Sequence, residues 1–230
     1  MNKKLKVLIT GSSRGIGNSI SNIYKENDYE VFNANSSNLD LSNLDLIEEN
    51  YLKITEGQSI DCLICCAGIN ENKSLKDFNY KSGKKIIDIN LLSNIELIKL
   101  ASRSMKENKY GRIVLIGSLW SEFVREEKLF YAISKSGIVS LGKSAALELG
   151  KNNILVNTVS PGFVKTAMTD RNLSKAQIND FEKKIPLKRF ATPDEIAKVV
   201  YFLGSSDNTY LTGQNIIVDG GWSVGWKTKN

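Results

Sequence analysis

The sequence predicts a doubly wound, three-layer α/β fold around a parallel sheet, and three observations carry that prediction. Short apolar runs alternate with segments of helical period along the whole chain. Several of those runs, at residues 7–9, 63–64 and 113–116, are continuously apolar, as suits strands covered on both faces. A glycine-rich turn joins the first strand to the first helix. The chain has 230 residues, 41% hydrophobic and 24% charged, with no linker or low-complexity tract, so a single domain over residues 1–230 is expected.

The elements follow in order. Residues 5–10 read as the first strand, and Ile16, Ile20, Ile23 and Tyr24 recur at helical spacing after it. A second strand reads at residues 30–34, then a polar turn over 35–38. Residues 44–54 form a weak helix and 61–66 a third buried strand. A long helix is predicted over 84–108, a strand over 112–117, a helix over 131–149 and a strand over 154–159. Residues 172–184 are polar with helical spacing, the expected mobile lid. Thr192 before Pro193 predicts a capped helix start running to about residue 203, and residues 215–218 close the sheet.

Composition narrows the chemistry. The formal charge is +6, but the lysines are scattered rather than clustered, which favours a solvated surface over a nucleic-acid patch. No basic-then-apolar leader is visible, and no run approaches the roughly 18–20 apolar residues of a membrane span. A cytoplasmic protein without a membrane partner is expected. Cys62, Cys65 and Cys66 share one apolar run without paired CxxC spacing, and the chain has no histidine, so no metal site is expected. The missing histidine also excludes Ser-His-Asp and Cys-His hydrolases and HExxH metalloproteases. Acid–base work must fall to Tyr, Lys, Asp, Glu or Cys.

Thr10-Gly11-Ser12-Ser13-Arg14-Gly15-Ile16-Gly17 lies where a strand passes into a helix. Glycines there allow a sharp turn and close approach of an anion to the helix N-terminus, where free N–H groups and the dipole favour negative charge. Tyr131 and Lys135 lie four residues apart on a predicted helix, so phenol and ammonium share a face. Neither is a neutral-pH base unaided, and a nearby cation is expected to lower the phenol.

With Ser118 at a strand end and Asn90 in Asp88-Ile89-Asn90-Leu91, these motifs resemble the short-chain dehydrogenase/reductase family, from residue 7 to about residue 221. The resemblance implies a Rossmann-type fold and a nicotinamide-dependent enzyme interconverting a ketone and a secondary alcohol. Tyr131 would be the general acid or base, Lys135 would tune it and hold the nicotinamide ribose, Ser118 would bind the substrate oxygen and Asn90 a relay water.

The resemblance also implies a cofactor surface at Gly11, Ser13, Arg14, Gly15, Ile16 and Gly17. Members that select NAD carry an acid after the second strand; Asn35 and Ser36 stand there, and Arg14 matches the basic residue of NADP-preferring relatives. NADP(H) is therefore expected over NAD(H). Asp40 and Leu41 would hold the adenine edge. Cys65-Cys66-Ala67-Gly68 replaces an Asn-Asn-Ala-Gly motif, so Cys66, Ala67 and Gly68 would line the ribose with two amides changed to thiols. Backbone groups of Pro161, Gly162 and Val164 would meet the carboxamide, and Thr166 the carboxamide or the pyrophosphate.

Within the family the pattern is similar to the 3-oxoacyl-(acyl-carrier-protein) reductases. That similarity implies a carbonyl substrate on an acyl carrier protein, docked at the counterparts Lys109 and Asn152, with Lys151 adjacent. The bulky, charged loop 119–128 departs from those enzymes and suits a sugar or sugar derivative. A nucleotide-binding regulator without chemistry is the reading of another class. Relatives imply a homotetramer or homodimer through the two long helices and the last strand. Trp222 and Trp226 would pack on a neighbour, cover the site or pack at home.

Overall fold

The computed structural model describes residues 4–77 and 79–225. Six parallel strands make one sheet: β1 (Lys6–Thr10), β2 (Glu30–Ala34), β3 (Cys62–Cys65), β4 (Gly111–Ile116), β5 (Ile154–Pro161) and β6 (Asn215–Val218), ordered β2-β1-β3-β4-β5-β6. The register places Leu8 between Phe32 and Leu63. Successive strand residues point to opposite faces, so continuous apolar runs feed two cores. Leu8, Leu63, Ile113 and Val156 face one way. Val7, Ile9, Ile64, Val114 and Val159 face the other.

Helices cover both faces. Ile20 and Tyr24 of α1 (Gly15–Glu26) share the second core with buried residues 196, 200 and 203, as the expected doubly wound fold requires. The first core is closed by α2 (Ile47–Ile54), then a helical stretch built from α3 (Tyr80–Ile87), a π-helical turn (Asp88–Leu92) and α4 (Ser93–Asn108), and finally α5 (Leu129–Leu149).

The long helix predicted over 84–108 therefore starts earlier and is interrupted. Asn79 caps its start by accepting from the Lys81 and Ser82 N–H groups, and the extra residue of the π turn shifts the helical phase at Asp88–Leu92. The span 172–184 is also not one helix. It is the end of α6 (Ala167–Asn172) followed by α7 (Lys175–Lys184), which restarts at a capping box of Ser174 and Gln177. Thr192 and Glu195 form the expected box on α8 (Pro193–Gly204).

Trp222 packs within its own chain, edge-on to Trp120, Phe123 and Phe163, while Trp226 lies outside the described residues. The chain runs from β1 out to β2 and returns to β3 on the other side of β1. That reversal opens a crevice beyond the carboxyl ends of the strands.

Candidate active site

A cleft of about 430 Å³ occupies this crevice, lined by the glycine turn, the end of β2, Cys66–Asn70, and the segments after β4 and β5. Its floor is held by the chain's own polar groups. Thr10, at the end of β1, accepts from the N–H groups of Cys66 and Ala67 at 3.0 and 3.1 Å. Those bonds use backbone and a neighbouring hydroxyl, so the thiols of Cys65 and Cys66 leave the turn at residues 66–68 intact.

The glycine turn is sterically demanded. Gly11 has φ +69° against Ala67, and a Cβ on Gly17 would lie 2.1 Å from the Gly11 carbonyl oxygen. Gly17 therefore packs the helix start on the turn itself. Gly15 faces Thr166 across the cleft, and Thr166 caps α6 by accepting from the Thr169 N–H. Arg14 is the N-cap of α1 but makes no side-chain cap bond, and the first turn holds no acid. The free N–H groups of that turn thus face the cleft with no protein partner from the cap, a fit for an anion.

At the β2 end, Asn35 organises a tight turn. Its Oδ1 accepts from the Ser37 N–H at 2.9 Å and from the Ser37 hydroxyl at 2.6 Å, leaving Ser36 exposed on the cleft. No carboxylate stands at that position. The exposed Arg14 lines the same end and forms no ion pair among the described residues. Asp40 accepts from the Ser42 hydroxyl and N–H, which holds its carboxyl below the usual range, and Leu41 beside it is buried.

The expected catalytic side chains converge at the other end. Ser118 follows β4 and accepts from the Trp120 N–H at 3.2 Å. Ser118 and Tyr131 line the same end of the cleft, and Ser118 draws the phenol down. Lys135, 4% exposed, donates to the Ile116 carbonyl at 2.7 Å, and its ammonium lies 5.7 Å from the Tyr131 ring centre. Burial lowers it to about 8, with Cys66 and Cys65 opposing.

Burial raises the Tyr131 phenol above its ordinary value, Ser118 pulls it down and Cys66 pushes it up. The Lys135 ammonium is directed at the Ile116 carbonyl.

Asn90 is fully buried on the π turn. It accepts from the Ile69 N–H at 2.9 Å and donates to the Ile69 carbonyl and the Ser134 hydroxyl, so its amide ties three segments together beneath the phenol helix. Gly68 lies close by, where a Cβ would meet Lys135 Nζ at 3.5 Å. Pro161, Gly162 and Val164 line the cleft beyond β5, with Gly162 pressed against Asp219.

The structure brings together every site residue expected from sequence around this one cleft. It adds Asn70, Trp120, Arg125 and Lys128. Asn70 Oδ1 is buried without a hydrogen-bond partner. The charges in loop 119–128 had been visible, but nothing local marks Lys128 as pointing inward.

Lys109 and residues 151–152 precede β4 and β5, at the sheet end opposite Ser118. Among the described residues, no group of three or more acidic, Cys or His side chains is placed to hold a metal, and no helix is long and apolar enough to cross a membrane.

The family described as enoyl-(acyl carrier protein) reductase matches residues 30–223. The chain is 37% identical to the 3-oxoacyl-(acyl-carrier-protein) reductase FabG of Buchnera aphidicola subsp. Schizaphis graminum over 95% of its length and 97% of the relative's. Its structure is similar to that of 4-hydroxyisoleucine dehydrogenase complexed with NADH, with a TM-score of 0.92, 29% identity, and coverage of 97% of this chain and 100% of that one. It is also similar to ElxO with NADP bound, with a TM-score of 0.87, 27% identity, and coverage of 96% and 99%. A glycine turn opening on an uncapped helix start, a buried lysine beneath a phenol, and likeness along nearly the whole chain agree: this protein belongs to the short-chain dehydrogenase/reductase family of oxidoreductases.

Proposed function

We propose that the protein, acting as one domain in the reducing cytosol, interconverts a ketone and a secondary alcohol with NADP(H), using Tyr131 as general acid and base. The observation that carries this reading is the convergence of Ser118, Tyr131 and the buried Lys135 at one end of the cleft, with the ammonium 5.7 Å from the phenol ring centre.

The residues present fit a dinucleotide. The open first turn of α1 would take the pyrophosphate, and residues 66–68, Asp40 and Leu41 the adenosine end. Asn35 and Ser36 supply no carboxylate to repel a 2′-phosphate, and Arg14 is free to pair with one, which supports NADP(H). Pro161, Gly162, Val164 and Thr166 would flank the nicotinamide end. When bound, the cofactor supplies or accepts the hydride.

The chain's own groups do the rest. Ser118 donates a hydrogen bond to the carbonyl oxygen. In reduction Tyr131 gives its proton to that oxygen, and in oxidation it takes the proton back. A phenol raised by burial holds its proton at neutral pH, ready for the reductive direction. Lys135 would bind the nicotinamide ribose, and Asn90 fixes the backbone at Ile69 and α5 beside it.

The relatives' names support a 3-oxoacyl thioester as substrate. A compact polar compound, a sugar or similar, is the second reading, favoured by Trp120, Arg125 and Lys128 on the cleft wall. Exposed Ile95 on α4 and Ile133 and Leu147 on α5 support assembly as a homotetramer or homodimer through those helices.

Tyr131→Phe should leave NADPH binding near the wild-type level while lowering turnover by about 10²–10⁴-fold. Wild-type turnover in that variant would sink the mechanism, and binding without turnover of any carbonyl by the native protein would favour a regulator instead.

A further inference from the structure

The acid–base scheme uses one of the two lysines that flank the Tyr131 ring. The other, Lys128, is 6% exposed, lines the cleft, and lies 5.7 Å from the ring centre. Its ammonium donates to Asn72 Oδ1, which leaves two of its three donors for other partners. Among the described residues it has no carboxylate within ion-pair distance; the neighbouring Glu127 is exposed to solvent.

Two further features add positive potential at the same place. Lys128 is the N-cap of the 21-residue α5, whose start has no side-chain cap and no acid in its first turn. A cation is the least favourable side chain for that end of a helix dipole. Arg125 also lines the cleft, half-buried with its guanidinium 5.9 Å from the centre of the Trp120 ring, and it too lacks an ionic partner among the described residues. Burial and the Arg125 charge lower Lys128 to about 8, with Glu127 opposing. A buried ammonium, a guanidinium and an open helix start form a local positive field that the exposed Glu127 offsets only in part. Each raises the cost of the others unless an anion sits among them.

We propose that Lys128, helped by Arg125 and the start of α5, anchors a carboxylate of the substrate, and that the site works on a small oxo acid or the corresponding hydroxy acid. The carbonyl or carbinol oxygen would lie at Ser118 and Tyr131, with the carboxylate at Lys128. This rests on the Ser118–Tyr131 reading above and develops the compact-substrate alternative, in preference to a thioester, which has no free carboxylate.

The test compares acids with their neutral esters. With NADPH, kcat/KM is measured for acetoacetate and levulinate, for their methyl esters, and for an acetoacetyl thioester. A charge-assisted hydrogen bond to Lys128 should favour each acid over its ester by roughly 10- to 100-fold. Lys128→Gln, which supplies an N–H donor near Asn72 but removes the charge, should collapse that ratio towards one, and Lys128→Arg should restore much of it. Equal rates for acid and ester, a ratio unchanged in Lys128→Gln, or a thioester preferred over every acid would overturn the proposal. So would a loss shared equally by acid and ester with a displaced pH profile, which would assign Lys128 to the proton chemistry instead.

Calorimetry keeps the anchor testable apart from turnover. On the NADP-loaded protein, glutarate should bind more tightly than glutaramide, and Lys128→Gln should abolish the difference. Equal binding of the two would overturn the anchor. Absence of turnover with any carbonyl, alongside charge-selective binding, would refute the Ser118–Tyr131 reading and leave the anchor standing.

Discussion

Removing one buried hydroxyl, by Thr10→Val, tests whether the floor of the cleft is held by backbone bonds or by the side chains of residues 65 and 66. Thr10 is 1% exposed, and its Oγ1 accepts from two N–H groups, those of Cys66 and Ala67. Valine keeps the shape and loses the one acceptor that serves both N–H groups. Each buried donor left unpaired costs about 1–3 kcal/mol. The added methyl recovers about 0.8 kcal/mol. The net loss is then about 1–5 kcal/mol, centred near 3. With m of about 2–3 kcal/mol per M, the urea midpoint should fall by about 1–1.5 M at unchanged m. NADPH affinity should fall with it, because Ala67 abuts Gly11 in the turn, where a Cβ on Gly11 would come within 2.8 Å of Ala67 Cα. A midpoint shift below about 0.2 M would refute the reasoning, since such a change is within the scatter of ordinary surface substitutions.

Gly17→Ala drives a Cβ to within 2.1 Å of the Gly11 carbonyl oxygen, so helix and turn must separate. Overpacking of this kind costs about 1–3 kcal/mol, and calorimetry should show Tm lower by roughly 2–12 °C. An unchanged Tm would mean that the turn gives way freely. The Lys135 ammonium is lowered from 10.5 to about 8 in the folded chain. Between those values the unfolded chain binds the extra proton, so stability rises with pH there, and below about 8 the full penalty of burying the charge persists. The unfolding free energy of the wild type minus that of Lys135→Met should therefore climb by up to about 1.4 kcal/mol per pH unit above pH 8. A flat difference counts against a buried, charged Lys135. Burial raises all three thiols, with Cys62 and Cys66 near 12, so each stays protonated at neutral pH. Native protein treated with iodoacetamide at pH 7 should remain unmodified by mass spectrometry, whereas the unfolded chain should alkylate fully; rapid native labelling at the half-buried Cys66 would show that its thiol is not held neutral.

Much of the fold was legible in the sequence because its signals are local. Short continuous apolar runs, apolar residues at helical period, the Thr192–Glu195 cap and the strand–glycine–helix junction each depend on residues near one another in the chain. The strands at residues 30–34 and 215–218 were recovered to the residue for the same reason. The interruptions were not legible. A π turn at Asp88–Leu92 and the break between α6 and α7 come from a shift in hydrogen-bond phase and a competing cap, and both leave the apolar spacing almost unchanged.

The sequence by itself determined the alternating fold, the absence of any histidine mechanism, and the residues from which a phenol–lysine site must be made. The tertiary structure decided what those residues meet. It turned the Lys135 ammonium to the Ile116 carbonyl, committed the Asn90 amide to Ile69 and Ser134, and let Thr10 hold the turn beside the two cysteines. It also turned Lys128 inward beside Tyr131. Burial and partner choice arise from segments distant in the chain, and the shift of a titrating group follows its surroundings rather than its neighbours in sequence.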